Sequence, residues 1–280
     1  MLQSLKKLKK VAVFILTNMC LHVQELVLEI AEWLSEDTQA LYNLCLVNHT
    51  CFFLAARLLW RNPFGVGKIS SRLHLKILRQ VLLFANNEDR QNVDQILKQW
   101  STRTSELPVR SGPPALPYLN FIRTLDVEGL NILIYHWLNT LNPQKDYRRE
   151  TTRHGFDLSL VLCKLVVSHS SQIDCVNFTL KCKYDDVNLF TLPNANMSFR
   201  HLKRITCSGN YSKRLLLASA NKLLLNLEHI KVSLANNDDE ELAKLVQRQR
   251  KLKSLEITGC NKSGTCNIIR ALELSSSLIS

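Results

Sequence analysis

Three groupings of residue types in this 280-residue chain could do chemistry. Gly65-Val66-Gly67-Lys68-Ile69-Ser70 carries the glycines and lysine of a phosphate loop. Such a loop needs a glycine five residues before the second glycine and a Ser or Thr directly after the lysine, so that hydroxyl and backbone N–H groups converge on phosphate. Asn62 and Ile69 stand at those positions, and the segment predicts a plain turn. Cys163 and His169 lie in one apolar segment. A thiol nucleophile needs its histidine within hydrogen-bond reach; this spacing predicts a buried thiol and a helix-end histidine. Asp185-Asp186 and Asp238 to Glu241 are carboxylate clusters. The second is accounted for by a helix N-terminus, where acidic groups meet the helix dipole. The 9 cysteines are irregularly spaced with no C-x-x-C pair, which predicts reduced thiols rather than a disulfide frame or zinc site. These patterns predict no enzyme, no catalytic residue, no cofactor and no metal.

Charge points to association instead. The formal net charge is +12, and residues 200–253 hold 12 Lys or Arg against 5 Asp or Glu, with Arg248, Arg250, Lys251 and Lys253 nearly contiguous. A basic surface favours acidic or phosphorylated partners. No RNA-binding module signature accompanies these residues, and aromatic residues for base stacking are sparse, with Tyr211 the single one of that stretch. Hydrophobic residues at 46% exclude wholesale disorder, and only 8 glycines argue against a Gly-rich nucleotide fold. Lys6, Lys7, Lys9 and Lys10 precede the apolar run Val11 to Leu16. That run is shorter than a secretory core, so residues 1–20 predict a basic N-terminal arm. No apolar run approaches a membrane span of ~20 residues, and the reading is a cytoplasmic or nuclear protein with no membrane contact.

Residues 21–64 predict three short helices. Leu26, Ile30 and Trp33-Leu34 share a face, with Val27 beside them; Ser35 to Thr38 is cap-like; Leu41, Leu44, Cys45 and Val47 mark the second helix. Cys51 to Trp60 marks the third, stopped by Pro63 and Gly65. Residues 65–117 predict a helical connector. Leu73, Ile77, Leu78, Val81 and Leu82 form one stripe, Asn86 to Asp89 a break, and Val93, Ile96, Leu97 and Trp100 a second stripe. A linker bearing Pro108, Pro113, Pro114 and Pro117 follows.

From residue 118 the period changes. Apolar-x-x-apolar-x-apolar recurs at Ile122/Leu125/Val127, Ile173/Val176/Phe178, Leu202/Ile205/Cys207, Leu227/Ile230/Val232 and Leu252/Leu255/Ile257. The last three copies begin 25 residues apart, a step within the leucine-rich-repeat range. Parallel strands are expected near 122–127, 174–179, 203–208, 228–233 and 253–258, in that order, each followed by a helix. The gap between the first two copies predicts a divergent repeat or an insertion around 130–160. Asn237 with Glu240 suggests a capping box ahead of Leu242, Leu245 and Val246.

Residues 23–64 carry a family resemblance. Glu25-Leu26-Val27-Leu28-Glu29-Ile30, Leu44 to Asn48 and Leu59-Trp60 resemble an F-box, and Trp60 to Phe64 is similar to the end of F-boxes from expanded fungal families. Val23-Gln24 stand where that family has Leu-Pro, and Cys51 stands near its usual Trp. The resemblance implies docking on a Skp-type adaptor, and through it a cullin, by Val23, Gln24, Glu25, Leu26, Val27, Ile30, Leu34, Leu44, Val47, Cys51 and Trp60. The repeats resemble the cysteine-containing type, which places Cys or Asn three residues after the last strand position. Cys260 and Asn210 match, and Ala235 and Lys181 do not.

The combined expectation is a mainly α F-box-like unit over 21–64, then an α/β leucine-rich-repeat solenoid with a parallel sheet over 118–280. The resemblance implies a substrate-recognition subunit of a Skp–cullin–F-box ubiquitin ligase. Strand residues facing away from the core, Lys203, Arg204, His229, Lys231, Lys253 and Glu256, would hold an acidic or phosphorylated target. Lys203/Arg204, His229/Lys231 and Lys253 are expected to line up across neighbouring strands as a like-charged row, with Glu228 and Glu256 tempering the field or pairing with it. The alternative function is a ligase-independent repeat scaffold that binds an acidic protein or nucleic acid.

Overall fold

The computed structural model describes residues 23–35, 37–65, 71–100, 116–141, 147–180, 188–209, 213–235, 238–259 and 262–274. The basic arm, the Gly67-Lys68 loop, the linker prolines 108 to 114, Asp185-Asp186 and Asn237 lie outside them. The chain divides into two compact units between Arg61 and Asn62.

The first unit holds α1 (residues 23–33), α2 (Thr38–Cys45) and α3 (His49–Leu59). Asp37 starts α2 by accepting from the Ala40 N–H at 2.9 Å, and Asn48 starts α3 by accepting from the Cys51 N–H at 2.9 Å. Each satisfies a donor that the first helical turn leaves orphaned. Ala31, Leu41 and Ala55 form the core, with Leu34, Leu44, Cys45, Leu58 and Leu59 packed around them. The inward stripe of α1 is therefore Val27, Ala31 and Leu34. Leu26, Ile30 and Trp33, which helical spacing had grouped with Leu34, are exposed. Both stripes are apolar at helical spacing; the small Ala31 side chain suits the one that packs closely against α2 and α3.

Pro63 and Phe64, expected to close the first unit, belong to the second and are buried. The second unit continues with α4 (Ser71–Leu82) and α5 (Asn87–Trp100). Asn86 accepts from the Asp89 N–H at 2.7 Å, so the expected break at 86–89 is a cap and α5 begins within it. β1 (Thr124–Asp126) is followed by α6 (Val127–Leu141) and α7 (Tyr147–His169), which occupy the expected insertion. The helical connector is not a free spacer: α4 packs on α6 and α7, and α5 packs on α7. Lys164 Nζ on α7 lies 2.8 Å from the buried carboxylate of Asp89 on α5. Gly129, at the start of α6, sits so close to the Phe64 carbonyl that a Cβ there would lie 1.7 Å from the oxygen.

Four further strands follow: β2 (Cys175–Leu180), β3 (Arg204–Gly209), β4 (His229–Ser233) and β5 (Ser254–Thr258). They join β1 in one parallel sheet, in the order β1-β2-β3-β4-β5. After β2, the described residues form a 3-10 turn, Leu189–Thr191, and the four-residue α8 (Ala195–Ser198). α9 (Arg214–Leu223), α10 (Asp239–Gln247) and α11 (Lys262–Leu274) follow β3, β4 and β5. Leu125, Val176, Phe178, Ile205, Cys207, Ile230 and Val232 point into the core, as do Ile122, Ile173, Leu202, Leu227 and Leu252 just ahead of the strands. Strand residues alternate between faces, so the other face carries the intervening, mostly polar side chains. Parallel sheets are usually covered on both faces; here the alternation leaves one face accessible.

Buried side chains satisfy the turn backbones between strands. Ser170 Oγ donates to the Leu119 carbonyl at 2.7 Å, and Ser198 Oγ donates to the Ser170 carbonyl at 2.7 Å. Gln249 accepts from the Leu227 N–H at 2.9 Å and donates to the carbonyls of Leu224 and Leu245 at 3.1 and 2.8 Å. At Ala235, just after β4, Asp238 serves the turn backbone. Its carboxylate accepts from the Ala235 N–H at 3.1 Å and from the Lys213 N–H at 2.9 Å. Asn210, Lys181 and Cys260 lie outside the described residues.

Candidate functional site

Two surfaces remain once the cores are assigned. The first is the outer side of α1. Val23, Leu26, Ile30 and Trp33 follow one another at helical spacing and are all exposed, Leu26 at 57%, Ile30 at 46% and Trp33 at 91%. Tyr42 on α2, and Leu46 and Val47 just after it, add exposed apolar area to the same unit. Solvation of an apolar stripe such as that on α1 is unfavourable, and exposed apolar patches mark interaction sites. Of the residues expected to contact an adaptor, Val23, Gln24, Glu25, Leu26, Ile30 and Val47 are exposed. Val27, Leu34, Leu44 and Trp60 are half-buried, and Cys51 is buried. Leu34 and Leu44 serve the internal core. Leu28, Trp33, Tyr42 and Leu46 are exposed members not among the expected adaptor contacts, although helical spacing had already placed Trp33 on the face of Leu26 and Ile30.

The second surface is the open face of the sheet. Its first row comprises the residues immediately ahead of the strands, Arg123, Asp174, Lys203, Glu228 and Lys253, joined through their backbones. Its second row runs Thr124, Cys175, Arg204, His229, Ser254, and its third Asp126, Asn177, Thr206, Lys231, Glu256. The like-charged alignment of Lys203, Arg204, His229, Lys231 and Lys253 is not formed. Lys203 shares its row with Glu228, and Arg204 stands opposite His229. Lys231 stands two positions further along, because successive residues occupy opposite faces.

Ion pairs occupy the positions instead. Lys253 Nζ lies 2.6 Å from Glu228 Oε2, and Lys231 Nζ lies 2.7 Å from Glu256 Oε1. The hydrogen bond from Lys253 holds the Glu228 carboxyl below its usual range, with Lys203 and His229 adding to the effect. Lys203 and Arg204 are exposed and carry no ion pair among the described residues. Arg123 donates to the carbonyls of Asn120, Ile122 and Gln172 at 3.0, 3.2 and 3.2 Å, which fixes the row's first cation. Arg123 and Asp174 follow Ile122 and Ile173 just as Lys203 follows Leu202, so extending the repeat alignment by two copies reveals them.

Of the other candidate groups, Cys163, His169 and Asp238 lie within the described residues. Burial pushes the Cys163 and Cys207 thiols up to about 12. His169 lies further along the same helix, with its Nδ1 2.9 Å from the Leu165 carbonyl oxygen and its ring edge-on to Phe84. Asp238 is engaged by two backbone N–H groups. Burial raises the Asp126 carboxyl, which nevertheless caps α6 by accepting from the Gly129 N–H at 2.9 Å. Among the described residues no group of three or more His, Cys, Asp or Glu is placed to hold a metal, and no helix is long and apolar enough to cross a membrane.

No family model, no curated protein and no solved structure matches this chain.

Proposed function

We propose that the chain is the substrate-recognition subunit of a Skp–cullin–F-box ubiquitin ligase, with an F-box-like first unit and a divergent leucine-rich-repeat second unit. The observation that carries this reading is the exposed stripe Val23, Leu26, Ile30 and Trp33 on a helix whose opposite side already fills the unit's core. That stripe would dock on the Skp-type adaptor. The open polar face of the sheet, centred on Lys203 and Arg204, would hold an acidic or phosphorylated target. Catalysis by such a subunit is proximity alone, since it raises the effective concentration of target at a separate conjugating enzyme.

Co-purification of the full chain with a recombinant Skp-type adaptor tests the first half. The expected result is a stable complex that Leu26→Glu/Ile30→Glu abolishes while the helical content is kept. Gln24→Pro, which restores the family's Leu-Pro proline on α1, should tighten it. Failure of the wild-type chain to bind the adaptor favours the ligase-independent scaffold. That reading rests on Lys203 and Arg204 and predicts affinity for acidic protein or nucleic acid with a steep salt dependence.

A further inference from the structure

β5 is one of the two outer strands of the sheet, and among the described residues no strand pairs with its outer edge. The backbone gives the first constraint. Ahead of every strand but the last, one carbonyl accepts two successive N–H groups from the next strand's entry. Arg123 O accepts from Asp174 and Cys175 at 2.8 and 3.0 Å, and Asp174 O accepts from Lys203 and Arg204 at 2.9 and 3.0 Å. Lys203 O accepts from Glu228 and His229 at 2.8 and 2.9 Å, and Glu228 O accepts from Lys253 and Ser254 at 2.8 and 3.0 Å. Lys253 O is next in the series and accepts no N–H among the described residues. Parallel-ladder alternation also directs the N–H and C=O of Leu255 and Ile257 away from β4.

Packing gives the second constraint. The inward side chains of β3 and β4, from Ile205 to Val232, are fully buried, whereas Leu255 and Ile257 are only half-buried. A further strand would complete their burial. Charge gives the third. The entry row alternates in sign from Arg123 through Asp174, Lys203 and Glu228 to Lys253. Glu228 feels a cation on each side, Lys203 and Lys253. Among the described residues Lys253 meets an acid on one side, Glu228, and Glu256 meets a base on one side, Lys231.

We propose that the β5 edge binds an extended segment of a partner protein as a sixth, parallel strand. The segment carries an acidic residue opposite Lys253, an apolar residue opposite Leu255, a basic residue opposite Glu256 and an apolar residue opposite Ile257. Its signature is acidic-x-apolar-basic-apolar. Backbone pairing supplies affinity and the alternating side chains supply selection, as in other cases of strand addition. A second copy of this chain stacking head-to-tail through β1 is disfavoured: the sheet register would set Arg123 against Lys253 and Asp126 against Glu256, like charge on like. This edge is separate from the α1 stripe, so the proposal stands or falls independently of adaptor binding.

The test uses the full chain, isotope-labelled, and the peptide acetyl-Leu-Glu-Thr-Ile-Lys-Val-Thr-amide as probe. A second peptide has its Glu and Lys exchanged. Titration followed by amide chemical shifts should move Leu255 and Ile257, with the first peptide binding about tenfold tighter than the second. The Lys253→Glu/Glu256→Lys variant should invert that preference. N-methylation of the peptide's Glu and Thr nitrogens, the two donors to Lys253 O, should abolish binding. Equal affinity for both peptides by the wild-type chain overturns the proposal, as do shifts confined to other strands. Slow hydrogen exchange at Leu255 and Ile257 in the free monomer would assign the edge to another segment of this chain. Concentration-dependent protection there would assign it to a second copy. Either result also overturns the proposal.

Discussion

Lys253 and Glu228, 25 residues apart in sequence, meet across β4 and β5 with Nζ 2.6 Å from Oε2. The contact holds the Glu228 carboxyl below its ordinary range, so the folded state binds that proton less readily than the unfolded chain does. Its contribution to stability is present above the unfolded value and is lost as pH falls through the folded one. Lys253→Met should therefore raise the Glu228 titration midpoint, read from its side-chain carboxyl resonance. An unchanged midpoint would mean that Lys203 and His229 supply the whole effect.

Asp238 should be the costliest polar residue to remove from the second unit. Asp238→Ala strips acceptors from the buried N–H of Lys213 and the half-buried N–H of Ala235. Each unsatisfied donor costs on the order of 1–3 kcal/mol, so the variant should lose about 3 kcal/mol of unfolding free energy. Denaturant titration reads this directly. A loss below about 0.5 kcal/mol would show that water replaces the carboxylate.

Gly129→Ala should disturb the packing of Phe64 on α6. The added methyl would lie 1.7 Å from the Phe64 carbonyl oxygen, so the two backbones must separate. Overpacking of this kind costs roughly 1–3 kcal/mol. Thermal unfolding should show the loss, and faster exchange of the Phe64 amide should locate it.

The two faces of α1 should respond oppositely to substitution. Leu26→Ser/Ile30→Ser alters exposed positions and should leave stability within about 0.5 kcal/mol while adaptor binding falls. Ala31→Leu inserts bulk beside Leu41 and Ala55 and should cost about 1–3 kcal/mol. Equal destabilisation by both variants would contradict the inward orientation of Ala31.

Cys163 and Cys207 should resist alkylation in the folded protein at neutral pH. Their thiols are buried and pushed up to about 12, leaving almost no thiolate to react. Iodoacetamide labelling read by mass spectrometry should modify them only after denaturant is added. Rapid native-state labelling of either would contradict its burial.

Much of the second unit is legible from local pattern. The apolar triplets at 202, 227 and 252 place β3, β4 and β5 within one residue of their observed starts. Strand alternation and the 25-residue step are properties of neighbouring residues, which is why sequence reports them. The caps at Asp37 and Asn48 likewise act within three residues of themselves. The gap from 122 to 173 announces an insertion, and helices α6 and α7 fill it.

What sequence alone determined is thus periodic and short-range: three helices, then a change of period, then strands whose apolar residues alternate inward. Tertiary structure decided everything that depends on two distant residues meeting. Spacing permits either stripe of α1 to turn inward, and packing of Ala31 against Leu41 and Ala55 makes the choice. The basic residues of the sheet permit either a like-charged row or ion pairs. The register that sets Glu228 beside Lys253 and Lys231 beside Glu256 produces pairs, because opposite charges on adjacent strands attract. Only the packing of α10 on α9 brings the Asp238 carboxylate to the Lys213 N–H, 25 residues away. Local pattern sets which face a strand residue occupies; the register between strands sets its neighbour, and the neighbour determines its charge environment.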